Sequence, residues 1–163
     1  MFDFKKIDLP IDKKEIYDLL ESQAQALCAD ETDPVANAAN LSALLFNSLG
    51  QVNWAGFYFL RGETLVVGPF QGKPACVRIP LGRGVCGTAA ASGQTQRVAD
   101  VNAFDGHIAC DADSRSEVVV PLIRDGKVLG VLDIDAPVPD RFDAGDQSGL
   151  ERIAAVWVNS SRD

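Results

Sequence analysis

Apolar side chains recur every three or four residues in three stretches of the chain, and this spacing predicts three amphipathic helices. The first stretch follows Asp12, which is predicted to cap the helix and to form a capping box with Glu15. The apolar positions of this helix are Ile16, Leu19, Leu20, Ala24, Leu27 and Cys28. The second begins at Asp33-Pro34, a cap followed by a proline, and ends at Gly50. The third begins near Asp143 and presents Leu150, Ile153, Ala154 and Trp157.

Between the second and third helices the pattern changes to short apolar or alternating runs, which are typical of strands. These runs are residues 51–60, 64–70, 75–80, 96–100 and 117–135. The last contains Asp125-Gly126, a turn dipeptide that predicts a hairpin of two strands. The glycine-spaced residues 81–94 predict a loop that enters a short helix.

Helices around about six strands, mostly joined by hairpins, predict an α+β domain. We expect a central, mostly antiparallel six-stranded sheet with helices on its faces. The first and last helices should lie together on one side. A chain of 163 residues suits one domain, which we place at residues 1–163.

Composition narrows the class of protein. Hydrophobic residues make up 47% and charged residues 23% of the chain, the balance of a globular protein with a core. Apolar runs stay well short of the roughly 18 residues that span a bilayer. The first ten residues mix acids with bases and lack the apolar stretch of a secretory signal, so we expect a cytoplasmic location.

The chain is acidic, with 15 Lys and Arg against 23 Asp and Glu and a net charge of −8. Such a surface repels phosphate backbones and anionic lipids. We therefore expect neither nucleic acid nor a membrane as a partner. A small ligand that carries an ammonium group remains compatible with this charge.

The four cysteines form no C-x-x-C pair, and in a reducing compartment any disulfide among them should be transient. Cys28 continues the apolar face of the first helix and is interpreted as a buried, inert thiol. Cys86 stands near the start of the short helix, where the helix dipole favours a thiolate. Cys110 stands among Asp111, Asp113 and Glu117, and carboxylates raise the pKa of a neighbouring thiol. Local physics alone therefore favours Cys86 as a nucleophile.

Three carboxylates are predicted to converge on one face of the sheet. Asp133 and Asp135 alternate with Leu132 and Ile134, so the two acids share the face opposite to the core. Glu117 stands at the start of the partner strand, and the hairpin should bring it close to Asp135 at the end of the other strand. The cluster is either a solvated face or a covered site, and a covered site must keep one acid protonated or attract a cation.

Aromatic residues alternate along residues 53–60 in the same way. Trp54 and Tyr58 flank Gly56 on one face, either as core or as the wall of a ligand pocket. Phe57 and Phe59 point to the other face and are expected in the core. The single histidine, His107, is a candidate base or metal ligand, or a structural loop residue.

Several of these motifs, taken in order, resemble the free methionine-(R)-sulfoxide reductases, which are stand-alone GAF-domain enzymes. The motifs are NWAGFYFL, LVVGPFQGKPACVRIPLGRGVCGTAA, GQTQRVADVNAFDGHIACDADSRSEVVVPL and GVLDID. The resemblance extends from about residue 10 to residue 158 and implies a GAF fold. It is specific because three cysteines, the W-x-G-x-Y strand and the D-x-D strand occur together.

The resemblance also implies roles for named residues. Cys110 would attack the sulfoxide and Cys76 would resolve the product. Cys86 matches a third cysteine whose role differs among family members, an alternative resolver being one such role. The residues implied for substrate binding are Trp54 and Tyr58 around the methyl group, and Glu117, Asp133 and Asp135 around the ammonium and the sulfoxide oxygen. No bound cofactor or metal is implied; thioredoxin is the external reductant, and a homodimer is expected.

The chemistry of sulfoxide reduction accounts for a cysteine placed among acids. The sulfoxide oxygen is a poor leaving group until an acid protonates it. We predict that Glu117 or Asp135 is this acid and that Asp133, with a partner acid, holds the α-ammonium. Two other classes stay open: a non-enzymatic GAF-like sensor, and a metal-binding module built from Cys76, Cys86, Cys110 and His107.

Overall fold

A computed structural model describes residues 12–162. The helices are α1 (Lys13–Cys28), α2 (Pro34–Ser48), α3 (Gly84–Ser92) and α4 (Ala144–Ser160), and the strands are β1 (Trp54–Arg61), β2 (Thr64–Gly72), β3 (Arg78–Pro80), β4 (Gln96–Val98), β5 (Ser116–Arg124) and β6 (Lys127–Ala136). Residues 1–11 and 163 of the expected domain, and with them the start of the resembling stretch, lie outside the described residues.

The six strands form one antiparallel sheet in the order β3-β2-β1-β6-β5-β4. The α+β class and the six-stranded antiparallel sheet are therefore confirmed. The strand predicted at 75–80 begins only at Arg78. Cys76 is bonded to Cys110, and its carbonyl accepts a hydrogen bond from the Tyr58 hydroxyl, so this segment crosses the sheet face before it pairs.

Three helices, α1, α2 and α4, cover one face of the sheet and enclose the main core with Phe57, Leu132 and Ile134. The first and last helices lie together, as predicted. The Tyr17 hydroxyl donates to Asp146 of α4 at 3.0 Å, and a Cβ at Gly149 would lie only 2.0 Å from the Tyr17 ring. Glycine at this position allows the two helices to approach closely.

Acidic caps fix where three of the four helices begin. Asp33 caps α2 as predicted, and Asp12 caps α1, but Asp12 accepts from the backbone of Lys14 and the capping box predicted with Glu15 is wrong. A capping box forms at α4 instead, between Asp143 and Asp146.

The helices of residues 12–162 do not include one with the length and hydrophobicity of a membrane-spanning helix.

The opposite face of the sheet carries a second, smaller core under α3. Trp54 and Tyr58 of β1 belong to it, whereas Phe57 between them points to the main core. The alternation predicted for β1 is thus confirmed. The same alternation in β6 turns Leu132 and Ile134 into the main core, so Asp133 and Asp135 lie beneath α3.

Candidate active site

A cavity lies between α3, the polar face of β1, β5 and β6, and the two loops that carry Cys76 and Cys110. The empty space within the cavity and at its open mouth amounts to about 520 Å³. Seven of the eight candidate site residues line it: Trp54, Tyr58, Cys86, Cys110, Glu117, Asp133 and Asp135. The eighth, Cys76, is joined to Cys110 by a disulfide across 34 residues of sequence. Fold and register therefore bring together side chains that are far apart along the chain.

The loop that carries Cys110 is anchored over the cavity by polar contacts. The ammonium of Lys73 pairs with Asp113 and lies 3.9 Å from Asp111. The Asn53 amide donates to Ser114 at 3.2 Å, and the Trp54 indole donates to the Lys73 carbonyl at 3.1 Å. Lys73 thus offsets part of the negative charge that the sequence places next to Cys110.

The aromatic wall of the cavity depends on a glycine. The Trp54 ring stacks between Tyr58 and Phe70, with ring centroids 5.8 Å and 5.1 Å apart. A Cβ at Gly56 would lie 2.8 Å from the Trp54 ring and 2.3 Å from Phe70 Cβ. Only glycine leaves room for this stack, which gives the cavity a flat apolar side.

The predicted convergence of three carboxylates is present. Glu117 pairs directly with Asp135 across β5 and β6, and Asp133 is two residues away on the same face. Glu117 and Asp133 are buried, and Asp133 Oδ1 has no hydrogen-bond partner among the described residues. The acids are therefore a covered site and not a solvated face.

Burial sets the protonation of this cluster. It raises the pKa of Glu117 and of Asp135 well above the usual range, and the charge of Asp133 adds to both shifts. Burial also raises the pKa of Asp133, to about 6, although hydrogen bonds from Cys86 and Glu117 oppose the rise. Asp133 is thus the carboxylate that ionises first, next to an acid, Glu117, that keeps its proton.

The same geometry also meets the spacing of a small metal site. Cys86, Glu117 and Asp133 each offer a ligand atom, and these atoms lie within 4.8 Å of one another in the described part of the chain. A covered cluster of acids must hold a proton or a cation.

Cys86 lies in the first turn of α3, but the thiolate expected there is wrong. Its side chain is buried, with Sγ 3.3 Å from Asp133 Oδ2 and 3.8 Å from Glu117 Oε1. Burial first, and then these carboxylates, raise the pKa of Cys86 well above its usual value. Desolvation and two nearby acids outweigh the helix dipole, so Cys86 is a thiol.

The remaining candidates are placed more simply. Cys28 is free and buried in the main core, as predicted, and burial raises its pKa. His107 lines the cavity, and burial lowers its pKa. Two of the four ligands in the metal-module hypothesis, Cys76 and Cys110, are bonded to each other, so that set is not assembled.

Sequence reasoning missed Arg83 as a cavity residue. It immediately precedes α3 and, among the described residues that line the cavity, carries the one fixed positive charge. Its position before a glycine-rich helix start was the available signal, because such a start brings the backbone close to a ligand.

The raised pKa of Asp133 makes the folding stability depend on pH. Its pKa rises from 3.8 to about 6 on folding, so its contribution to stability is complete below pH 3.8 and is lost as the pH passes 6. In the oxidised wild type, the free energy of unfolding should fall by up to about 3 kcal/mol from this group between these limits. Asp133→Asn should flatten this dependence because it removes the titrating group. It also removes a charge that raises the pKa of Glu117 and of Asp135.

Denaturant titrations at several pH values measure this difference between the wild type and Asp133→Asn. Asp113→Asn is the matched control, since Asp113 is an exposed acid paired with Lys73. Parallel pH profiles for the wild type and Asp133→Asn would contradict the assignment of a buried, proton-binding cluster.

Known proteins are similar to this chain in sequence and in structure. The GAF-domain family profile matches residues 36–156. Protein YtsP of Bacillus subtilis is 61% identical over 145 residues, which cover 88% of this chain and 89% of YtsP. The free methionine-R-sulfoxide reductase of Escherichia coli is 56% identical over 145 residues, 89% of this chain and 88% of that protein. The X-ray structure of the free methionine-R-sulfoxide reductase from Neisseria meningitidis in complex with its substrate is 43% identical, with a TM-score of 0.90 and coverage of 97% and 95% of the two chains.

Proposed function

The chain belongs to the free methionine-(R)-sulfoxide reductases, a group of GAF-domain oxidoreductases, and we propose that it reduces free L-methionine-(R)-sulfoxide with Cys110 as the nucleophile. The observation that carries this proposal is the position of Cys110, which lines the same cavity as Glu117, Asp133 and Asp135. A reacting sulfur and the acids that its substrate requires thus face one enclosed space.

The reaction begins with attack of the Cys110 sulfur on the sulfoxide sulfur. This attack forms a bond between Cys110 Sγ and the substrate sulfur, and protonation of the sulfoxide oxygen lets the S–O bond break so that the oxygen leaves as water. A water oxygen then bonds to Cys110 Sγ as the bond to the substrate sulfur breaks, which releases methionine and leaves Cys110 as a sulfenic acid. The Cys76 thiol then attacks the sulfenic sulfur; an S–S bond forms, the S–O bond breaks and water departs. The disulfide between Cys76 and Cys110 is the expected product of this step.

A dithiol must return both cysteines to the reduced state by thiol–disulfide exchange. Thioredoxin is the reductant that we propose, in the cytoplasm that the composition predicts. Both disulfide cysteines are half-buried and not fully enclosed, which leaves the bond within reach of an external thiolate. The homodimer implied by the resemblance stays a prediction.

Glu117 is the proposed proton donor to the sulfoxide oxygen. Burial and the charge of Asp133 raise its pKa, so it carries a proton at neutral pH. A carboxylic acid with a raised pKa is suited to general-acid catalysis, because it stays protonated near the operating pH and can still give up its proton in the transition state. Asp135 is directly opposite Glu117 in the sheet and is the second candidate for this role.

The charged groups of the cavity also explain a preference for the free amino acid. Asp133 Oδ1 is buried without a partner, and the α-ammonium of the substrate would supply one, with Asp135 beside it. Arg83 at the cavity wall would meet the α-carboxylate. A peptide-bound sulfoxide has neither charge, and an uncompensated buried charge costs several kcal/mol, roughly a thousandfold in discrimination.

An assay with racemic free methionine sulfoxide, thioredoxin, thioredoxin reductase and NADPH tests the proposed activity. Consumption should stop at half of the racemate, and a peptide-bound sulfoxide should react about a thousandfold more slowly. Cys28→Ser is the matched control, because this free thiol lies in the main core, and it should not change the rate.

Absence of turnover by the wild type would contradict the proposal and favour the sensor. Consumption of the whole racemate would contradict the stereochemical part of it.

A further inference from the structure

Cys86 is a buried thiol that the proposed disulfide cycle does not use. It is free, 4% exposed, and lines the cavity from the first turn of α3. Its Sγ is 3.3 Å from Asp133 Oδ2 and 3.8 Å from Glu117 Oε1, within range of a sulfur hydrogen bond. The position of this third cysteine therefore relates it to the acids and not to the disulfide.

We infer that Cys86 is a positioning residue whose S–H donates to Asp133 and keeps that carboxylate ionised beside a protonated Glu117. The cavity then holds one carboxylate for the substrate ammonium and one acid for the sulfoxide oxygen. This inference rests on the proposed function and gives Cys86 a role different from that of an alternative resolving cysteine.

The protonation of Cys86 supports a donor in place of a resolver. A resolving cysteine attacks as a thiolate. Burial and the neighbouring acids raise the pKa of Cys86 well above 9.0, so its sulfur keeps the proton at neutral pH. A buried thiol next to a carboxylate can donate a hydrogen bond to that carboxylate. Such a protonated thiol is a poor nucleophile.

Few other donors can replace this hydrogen bond. The Tyr58 hydroxyl is committed to the Cys76 carbonyl at 3.0 Å. Besides Cys86, the side chain that hydrogen-bonds to Asp133 is Glu117, which is needed as the proton donor, and Asp133 Oδ1 has no partner among the described residues. The titratable and charged groups that face this site from the surrounding elements are Tyr58, Arg83, His107, Asp111, Glu117 and Asp135.

Loss of the donor should change the pH dependence of the enzyme. The hydrogen bond from Cys86 lowers the pKa of Asp133 against the effect of burial. Cys86→Ala removes the donor, so Asp133 should ionise at higher pH, and the acidic limb of kcat/KM should move up by about one pH unit. Cys86→Ser keeps a donor and should remain close to the wild type.

The pH profiles of the wild type, Cys86→Ala and Cys86→Ser with free methionine-(R)-sulfoxide make this test, with Cys28→Ala as the control for loss of a buried thiol. An unchanged acidic limb in Cys86→Ala overturns the inference. Equal defects in Cys86→Ala and Cys86→Ser also overturn it, because a sulfur atom and not a donor would then be required.

A second measurement uses the oxidised protein and needs no turnover. Two of the four cysteines are in the disulfide, so only Cys28 and Cys86 carry S–H groups. The infrared S–H band that disappears in Cys86→Ser should persist at pH 9 in the wild type and shift in Asp133→Asn. A band that is lost below pH 9, or that does not respond to Asp133→Asn, overturns the inference. Because this readout is independent of activity, it separates a wrong role for Cys86 from a wrong proposed function.

Discussion

The Cys110→Ser variant should release methionine about four to six orders of magnitude more slowly than the wild type, even in a single turnover. The expected loss is large because the attacking sulfur is itself removed, and serine at this position faces acids that cannot accept its proton readily. The measurement is methionine released per protein after the reduced variant is mixed with excess free methionine-(R)-sulfoxide.

Cys76→Ser is the matched control for this experiment, because it removes the other half of the same disulfide. This variant should release one methionine per protein at close to the wild-type rate and then stop, since its sulfenic acid has no partner thiol. A full first turnover by Cys110→Ser, or a first turnover lost in Cys86→Ser alone, would contradict the choice of nucleophile.

The Glu117→Gln variant should lower the single-turnover rate by about 10²- to 10⁴-fold, the usual contribution of a general acid. Glutamine keeps the size and polarity of the side chain but cannot transfer a proton to the sulfoxide oxygen. Because Glu117 is buried and its pKa is raised, the wild type holds this proton at neutral pH, and the deficit should persist when the pH is lowered.

Asp135→Asn serves as the comparison, since Asp135 lies directly opposite Glu117 and shares the cavity. If Glu117 is the acid, Asp135→Asn should mainly raise KM, through weaker binding of the ammonium. The reverse pattern, with the rate loss in Asp135→Asn and the KM effect in Glu117→Gln, would transfer the acid role to Asp135.

Much of the framework follows from periodicity in the sequence. The alternation of Leu132, Asp133, Ile134 and Asp135 is sufficient to turn the acids away from the main core, because a strand has a period of two. The Asp125-Gly126 turn then fixes the hairpin, and its register brings Glu117 opposite Asp135. A short-range pattern therefore predicts the acidic half of the site.

The environment of Cys86 could not be predicted in this way. Its sequence neighbours indicate a helix start, which by itself lowers the pKa of a thiol. The groups that decide its protonation, Glu117 and Asp133, stand 31 and 47 positions later and reach it only because α3 packs on β5 and β6. Local sequence describes the helix dipole, whereas desolvation and long-range charges appear only in the folded chain.

The loop around Cys110 shows a similar limit. The sequence places acids beside this cysteine, but the compensating charge comes from Lys73 on the other loop. The late start of the strand predicted at residues 75–80 has the same origin, since the disulfide and the Tyr58 hydrogen bond hold Cys76 over the sheet face. Both of these differences from expectation lie where the two loops meet over the cavity.

The most direct test is to let the fully reduced wild type react once. One equivalent of free methionine-(R)-sulfoxide is added without any reductant, and the products are counted and the cysteine linkages mapped by mass spectrometry. The structure predicts one methionine per protein and a new bond between Cys76 and Cys110. Methionine formed while Cys110 remains a free thiol, or a new bond between Cys76 and Cys86, would contradict the claim that Cys110 is the sulfur that meets the substrate.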